Sequence, residues 1–126
     1  MGGQKLVGTQ TRSNVKLDIN FCFSLNHFNI FSPSQGSPQW VSLEFEEKVS
    51  VSALCLQFQG GFCGKECQVE VDGEKKIMDF YPEDANKVQS FQFPEALPSV
   101  KKVRVIFNSS SDFYGRITLY LLELYS

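Results

Sequence analysis

The chain has 126 residues, a length that corresponds to one domain and leaves no room for a second hydrophobic core. Its formal net charge is −2 and its basic residues are scattered, which argues against direct binding of nucleic acid, because that function needs a basic stripe. The sequence has no apolar run of membrane-spanning length, and residues 1–8 are too polar and glycine-rich for a secretory leader. We therefore expect a protein of the cytosol or nucleus that neither binds DNA or RNA directly nor enters a membrane.

The first part of the chain, residues 1–34, has little recognisable pattern. Residues 20–33 are rich in phenylalanine, but their alternation is poor and they hold no clear turn signal, so they indicate one or two strands at most. His27, the single histidine, lies in this stretch without an identifiable base or nucleophile beside it. We predict a divergent segment over 1–34, followed by a domain over 35–126.

From Trp40 onward, apolar and polar residues alternate with the period of a half-buried β-strand. The predicted strands are 40–45, 49–59, 68–72, 75–80, 88–93, 103–107 and 117–125. A polar turn is predicted at 46–48, a hairpin at Asp72–Gly73 and a proline-bounded connector from Pro94 to Pro98. A helical stripe is missing from the sequence, and its twelve phenylalanines favour strands. The pattern predicts an all-β, antiparallel β-sandwich, jelly roll or barrel.

Three further features have local interpretations. Gly60–Gly61 is expected to let the chain bend sharply at the end of a central strand. Trp40, the single tryptophan, is predicted to plug one end of the sandwich core. Asp112 and Arg116 are spaced so that they can pair across the turn at 113–115 and fix the corner before the last strand.

The sequence holds no convincing catalytic or metal-binding constellation. Cys63 and Cys67 have the spacing of half a zinc site, but with one histidine in the chain and Cys55 in an apolar strand, two free thiols in a loop are favoured. The loop over 81–84 contains carboxylates that suit calcium, although its spacing is not specific. A phosphate-binding loop is also missing, because Gly60–Gly61 lacks the lysine and the helix. We predict that the protein is not an enzyme and holds neither a cofactor nor a metal.

Four strings of residues, taken together and in order, carry a resemblance to a known family. They are Gln39–Phe45, Gln57–Phe62, Asp79–Asp84 and Asp112–Ile117, the last followed by a Leu/Tyr-rich strand. Over 35–125 the chain resembles a nuclear-receptor-associated family that binds testicular receptor four, within the discoidin, or coagulation-factor C-type, galactose-binding-like domains. The resemblance implies a discoidin-like jelly roll without enzymatic activity, located in the nucleus and also in the cytoplasm. It further implies repression of an orphan nuclear receptor by interference with receptor binding to its response element.

The chain departs from the family pattern at its N-terminus. The pattern opens with a strand, an acidic loop and a tryptophan, whereas residues 20–33 contain no tryptophan and no such loop. Two interpretations stay open: residues 1–34 are native to the fold, or they arise from translation of intron sequence. If they supply no first strand, a neighbouring strand keeps unpaired backbone groups.

The candidate binding surface is the cluster of loops at one end of the sandwich, because loops carry function on a rigid scaffold. Phe62, Lys65, Phe113 and Arg116 are the candidate partner-binding residues, since exposed aromatic and arginine side chains are enriched at interface hot spots. An equally simple interpretation is that Phe62 and Phe113 pack the rim of the sandwich. The predicted partner is an orphan nuclear receptor, bound by a monomer. The alternative function is binding of a carbohydrate or lipid head group through the same loops.

Overall fold

The described part of the chain forms eight β-strands. A computed structural model of the chain describes residues 39–73 and 75–125, together with the strand pairing of residues 5–6, 10–13 and 16–17. The strands are β1 (Lys5–Leu6), β2 (Gln10–Ser13), β3 (Lys16–Leu17), β4 (Gln39–Phe58), β5 (Cys67–Val71), β6 (Lys75–Phe80), β7 (Val88–Phe107) and β8 (Thr118–Tyr125). Within these described residues there is no helix, and hence none long and apolar enough to cross a membrane. The all-β prediction is confirmed.

Two long strands pass through both halves of the sheet. In the first half, residues 39–44 of β4 pair with β2 on one side and with the end of β7 on the other, and β5 and β6 follow beyond β7. In the second half, residues 53–57 of β4 pair with the start of β7 and with β8, and β1 and β3 lie along the far side of β8. All pairings are antiparallel except that of β3 with β8. The two halves form the faces of the sandwich.

The predicted breaks at 46–48 and between Pro94 and Pro98 are wrong. Residues 46–48 lie inside β4, and both prolines lie inside β7. The β4–β7 pairing shifts register between Glu44 and Ala53, which bends both strands from one face to the other without ending them. Proline is tolerated in a strand at such bulges, where its missing N–H costs no ladder hydrogen bond.

The core lies between the two halves and confirms the predicted alternation. On the first half it is lined by Val41, Leu43, Phe45, Val103, Val105 and Phe107, and on the second by Leu54, Leu56, Phe58, Leu119, Leu122 and Leu124. Phe58 and Phe107 meet edge to face across the core, with ring centroids 5.6 Å apart. Trp40 was predicted to plug this core, but it is half-buried outside it, with the Arg104 guanidinium over its ring.

The predicted turns at Asp72–Gly73 and Gly60–Gly61 are confirmed. Asp72 and Gly73 have φ of 43° and 80° and join β5 to β6, as expected of an Asp-Gly hairpin. Gly61 has φ of 88°, a left-handed conformation that allows the bend after β4.

The N-terminal strands bear on the question raised by the sequence. Residues 10–13 of β2 pair with residues 41–44 of β4, so the backbone of β4 has a neighbour on that side. The stretch 20–33, with His27 and Cys22, lies outside the described residues. The division of the chain at residue 34 stays a prediction.

Candidate functional site

Three loops converge at one end of the sandwich. They run over 59–66, 81–87 and 108–117. The first loop is tied to the second by the Gly61 N–H, which donates to Asp84 Oδ1 at 2.8 Å. It is tied to the third by the Cys63 N–H, which donates to Ser111 Oγ at 3.0 Å, and by the Ser111 N–H, which donates to the Cys63 carbonyl at 2.9 Å. These bonds hold the loops as one surface.

Asp112 and Arg116 form the predicted pair at the centre of the third loop. Arg116 Nε donates to Asp112 Oδ2 at 2.9 Å and Nη2 donates to Oδ1 at 3.0 Å, a two-point contact between planar groups. Asp112 Oδ2 also accepts the backbone N–H groups of Tyr114 and Arg116, each at 3.1 Å. The Arg116 hydrogen bonds, chiefly, lower the pKa of Asp112 to about 2, so the carboxylate stays ionised at neutral pH.

Around this pair lies an aromatic platform, formed by Phe62, Phe113, Tyr114 and Arg116. The Arg116 guanidinium carbon lies 5.3 Å from the ring centroids of both Phe62 and Tyr114, within cation–π distance. Tyr114 and Phe113 contact each other edge to face at 5.1 Å. Phe113 is 91% exposed and Tyr114 is 58% exposed, so Phe113 does not pack the rim of the sandwich. Three of the four predicted site residues therefore lie on one surface, whose binding role stays a prediction.

The fourth predicted residue, Lys65, lies elsewhere, in a loop groove of about 790 Å³. The loop groove is lined by Lys65, Glu66, Tyr81, Pro82, Asp84, Ser109, Ser110 and Ser111. Tyr81, 67% exposed, gives it an aromatic wall, and the other side chains are mostly hydroxyl or charged groups. Neither Tyr81 nor the serine run was among the predicted partner-binding residues, and 81–84 was considered only as a calcium loop. The aromatic residue beside Pro82 and the polar run at 108–112 were the signals available.

Asp84 is the fixed anion of the loop groove. Its pKa is lowered, first by the Gly61 N–H and then by the Cys63 thiol, which donates to Oδ1 at 3.2 Å. Burial raises the pKa of Cys63 to about 11, with the Asp84 carboxylate adding to the effect. The Cys63 thiol is therefore protonated at neutral pH and acts as a hydrogen-bond donor that links two loops.

Cys55, Cys63 and Cys67 are free, and of the two predicted loop thiols Cys63 lies in the first loop whereas Cys67 lies in a strand. Cys63 and Cys67 are both buried in the core, and Cys67 begins β5. Burial also raises the pKa of Cys67. Among residues 39–73 and 75–125, no three His, Cys, Asp or Glu side chains are grouped so that they could hold a metal ion. With their pKa values raised, neither Cys63 nor Cys67 is an activated nucleophile at neutral pH.

The fold is similar to that of several carbohydrate-binding modules of known structure. The family 32 CBM from C. perfringens NanJ in complex with galactose matches with a TM-score of 0.62 at 13% identity, over 74% of this chain and 70% of that chain. A chitosan-binding module from Paenibacillus sp. IK-5 matches with a TM-score of 0.66 at 18% identity, over 96% of both chains. CBM32 of AlyQ, in complex with 4,5-unsaturated mannuronic acid, matches with a TM-score of 0.69 at 12% identity, over 96% and 97%. The protein has a β-sandwich fold of the discoidin-like type, and the jelly-roll prediction is confirmed.

Sequence comparison narrows this class. No protein-family model matches the chain. The chain is 40% identical over 134 residues to the nuclear receptor 2C2-associated protein of Danio rerio, covering 96% of this chain and 94% of that protein. Identity to the Xenopus tropicalis protein of the same name is 50% over 108 residues, with 82% and 78% covered. For the Homo sapiens protein it is 40% over 106 residues, with 81% and 75% covered. The chain belongs to the nuclear receptor 2C2-associated protein family.

Proposed function

We propose that this chain is a non-catalytic protein–protein interaction module that binds an orphan nuclear receptor of the testicular receptor four type. By binding the receptor it keeps the receptor off its response element and so represses transactivation. The names of the relatives support a nuclear receptor as the partner. The net charge of −2 supports action on the receptor rather than on the DNA.

The observation that carries this proposal is the aromatic platform. A ring as exposed as that of Phe113 gains stability from burial only when a partner covers it. The Arg116 guanidinium lies over the rings of Phe62 and Tyr114, and Asp112 compensates its charge. The platform is therefore an aromatic surface with a neutralised centre. Aromatic residues and arginine in such clusters are the common anchors of protein interfaces.

A gel-shift experiment tests the proposal. The purified receptor DNA-binding domain and its response element are mixed with increasing amounts of the full chain, and direct binding to the receptor is measured in parallel. We expect the chain to lower the amount of receptor–DNA complex, and Phe113→Ser to weaken receptor binding by roughly thirtyfold or more, because loss of a hot-spot side chain costs about 2 kcal/mol or more. Tyr81→Ser is the matched control, since it removes an exposed ring outside the platform. Equal loss in both variants, or no receptor binding by the wild-type chain, contradicts the proposal.

The same proposal includes a nuclear location and a monomeric state. Microscopy of the tagged chain and light scattering of the purified chain measure these two properties. An exclusively cytoplasmic signal argues against action on the response element, and a stable dimer contradicts the monomer.

A second candidate function, binding of a small carbohydrate, is favoured by the loop groove. The groove combines the Tyr81 ring with hydroxyl and carboxylate groups, and its volume of about 790 Å³ lies in the range of ligand sites. Calorimetric titration of the chain with galactose and with chitotriose tests this function. Saturable binding that is lost in Tyr81→Ser and kept in Phe113→Ser supports a sugar site. Absence of binding to both sugars removes this candidate and leaves the protein-partner proposal unchanged.

A further inference from the structure

The side chain of Arg104 lies on the outer face of the first half of the sandwich, away from the loops. Arg104 is in the middle of the paired segment of β7, between Ser42 of β4 and Glu70 of β5. Its guanidinium carbon lies 4.6 Å from the centroid of the Trp40 ring. Its Nε atom is buried and has no hydrogen-bond partner among the residues that the structure describes. A buried N–H without an acceptor is unfavourable and calls for an explanation.

Two carboxylates near Arg104 in the sheet accept hydrogen bonds from other groups. Glu70 is directly opposite Arg104 in the β5–β7 register, yet its Oε2 accepts from Gln68 Nε2 at 3.0 Å. Asp72 Oδ1 accepts the backbone N–H groups of Lys101 and Lys102, each at 3.0 Å. The guanidinium is therefore placed beside Trp40, and neither of these two carboxylates is given a hydrogen bond from its buried Nε–H.

Space for a ligand exists at this position. A pocket of about 160 Å³ is lined by Glu70, Val71, Asp72, Gly73, Lys102 and Arg104, and it is far larger than the roughly 10–15 Å³ that one water needs. The pocket is at the Asp72–Gly73 end of β5, whereas the loop groove and the platform adjoin the Cys67 end. It is thus separate from the site described above, and its function is independent of the proposed receptor binding.

We propose that this pocket binds a single carboxylate group through Arg104, with Lys102 as the second cation. A planar carboxylate matches the planar guanidinium of Arg104, which lies beside the Trp40 ring and lines the pocket. The lining contributes two cations, Lys102 and Arg104, and two carboxylates, Glu70 and Asp72. A monoanion adds one charge to this balanced set, whereas a dianion adds two, so a carboxylate is preferred over sulfate or phosphate.

The Nε–H resonance of Arg104 in a ¹⁵N–¹H NMR spectrum gives a direct readout, and loss of one cross-peak in Arg104→Lys assigns it. We titrate the full chain at constant ionic strength with acetate, with N-acetylglutamate amide and with sulfate. The two carboxylates should shift this resonance saturably, sulfate should bind at least severalfold more weakly, and the Arg116 resonance should not move. Comparing acetate with the glutamate derivative distinguishes a free organic acid from an acidic side chain as the better ligand.

Variants that keep Arg104 sharpen the test. Glu70→Gln removes a competing carboxylate and should strengthen acetate binding roughly threefold to tenfold, while Lys102→Gln should weaken it by a similar factor. Lys101→Gln is the matched control, because it removes the same charge from a neighbour that does not line the pocket. A linear shift without saturation, equal effects of the two lysine variants, or tighter binding of sulfate would overturn the proposal.

Discussion

Gly64 lies where the first loop joins the core, and replacing it with alanine tests how tightly this junction is packed. A Cβ at this position would be 2.6 Å from Phe107 Cδ1 and 2.9 Å from Cys67 Sγ, against the roughly 3.5–4.0 Å of a relaxed carbon contact. Phe107 is fully buried and packs edge to face on Phe58, and Cys67 is 2% exposed. Because both neighbours are held by the core, neither has free space into which it can move.

The expected magnitude follows from these contacts. Overpacking of a core position costs about 1–3 kcal/mol. Replacing glycine with alanine recovers about 0.4–1 kcal/mol, because the unfolded chain loses conformational freedom. We therefore expect Gly64→Ala to lower the free energy of unfolding by about 1–2 kcal/mol. In a domain of this size each kcal/mol lowers the melting temperature by roughly 2–8 °C.

Urea denaturation followed by circular dichroism measures the effect, with Gly60→Ala as the control. A Cβ at Gly60 would lie 3.5 Å from Asn86 Oδ1, an ordinary contact, so this variant shares the entropic gain without the clash. It should be neutral or slightly stabilising. If Gly64→Ala is as stable as Gly60→Ala, the junction is looser than the contacts of Gly64 indicate, and the reasoning fails.

Further predictions concern the ionisable groups of the loop end. Because the pKa of Asp112 falls from 3.8 to about 2 on folding, its interactions with Arg116 stabilise the protein above the ordinary carboxyl pKa and are lost as pH falls towards 2. The stability difference between the wild-type chain and Asp112→Asn, measured by denaturation from about pH 5 down to about pH 2, should shrink as the pH falls. A difference that grows as the pH falls contradicts this prediction. Burial and raised pKa values predict that Cys63 and Cys67 react slowly with a disulfide reagent at neutral pH and rapidly in urea; equal rates would be inconsistent with this. Asp84→Asn should lower the pKa of Cys63, and a pH profile of labelling that does not move would show that the thiol–carboxylate bond is unimportant.

The features that sequence could predict are local ones. The alternation of Val103, Val105 and Phe107 places these residues on the inner face whatever the rest of the fold does. The Asp72–Gly73 turn depends on the left-handed conformation of two adjacent residues. The Asp112–Arg116 pair spans four positions. Each of these depends on neighbours in the chain, so one sequence suffices to find it.

The features that sequence missed depend on residues far apart in the chain. β4 and β7 continue through their polar and proline residues because the two paired strands bend together at bulges. A bulge of this kind cannot be recognised in the sequence of either strand alone. The loop groove is assembled from three loops, so the grouping of Tyr81 with Ser109 follows only from the sheet topology. Trp40 has the hydrophobic character of a core residue. Because side chains alternate along β4, Trp40 lies on the face away from Val41, where Arg104 also lies.

The platform is held in shape before any partner binds, and this decides which residues should matter for binding. Ser110 Oγ accepts the Asp112 N–H at 3.0 Å and donates to the Arg116 carbonyl at 2.6 Å, so the turn that presents Phe113 is closed by hydrogen bonds at both ends. A preorganised turn reduces the entropy lost on association. Loss of the Asp112 carboxylate should therefore weaken partner binding through disorder of the turn, although Asp112 is only about 10% exposed and offers a partner little surface. Arg116→Lys, which keeps the charge but loses the two-point contact, should weaken binding in the same way, because the platform depends on the geometry of the guanidinium rather than on its charge.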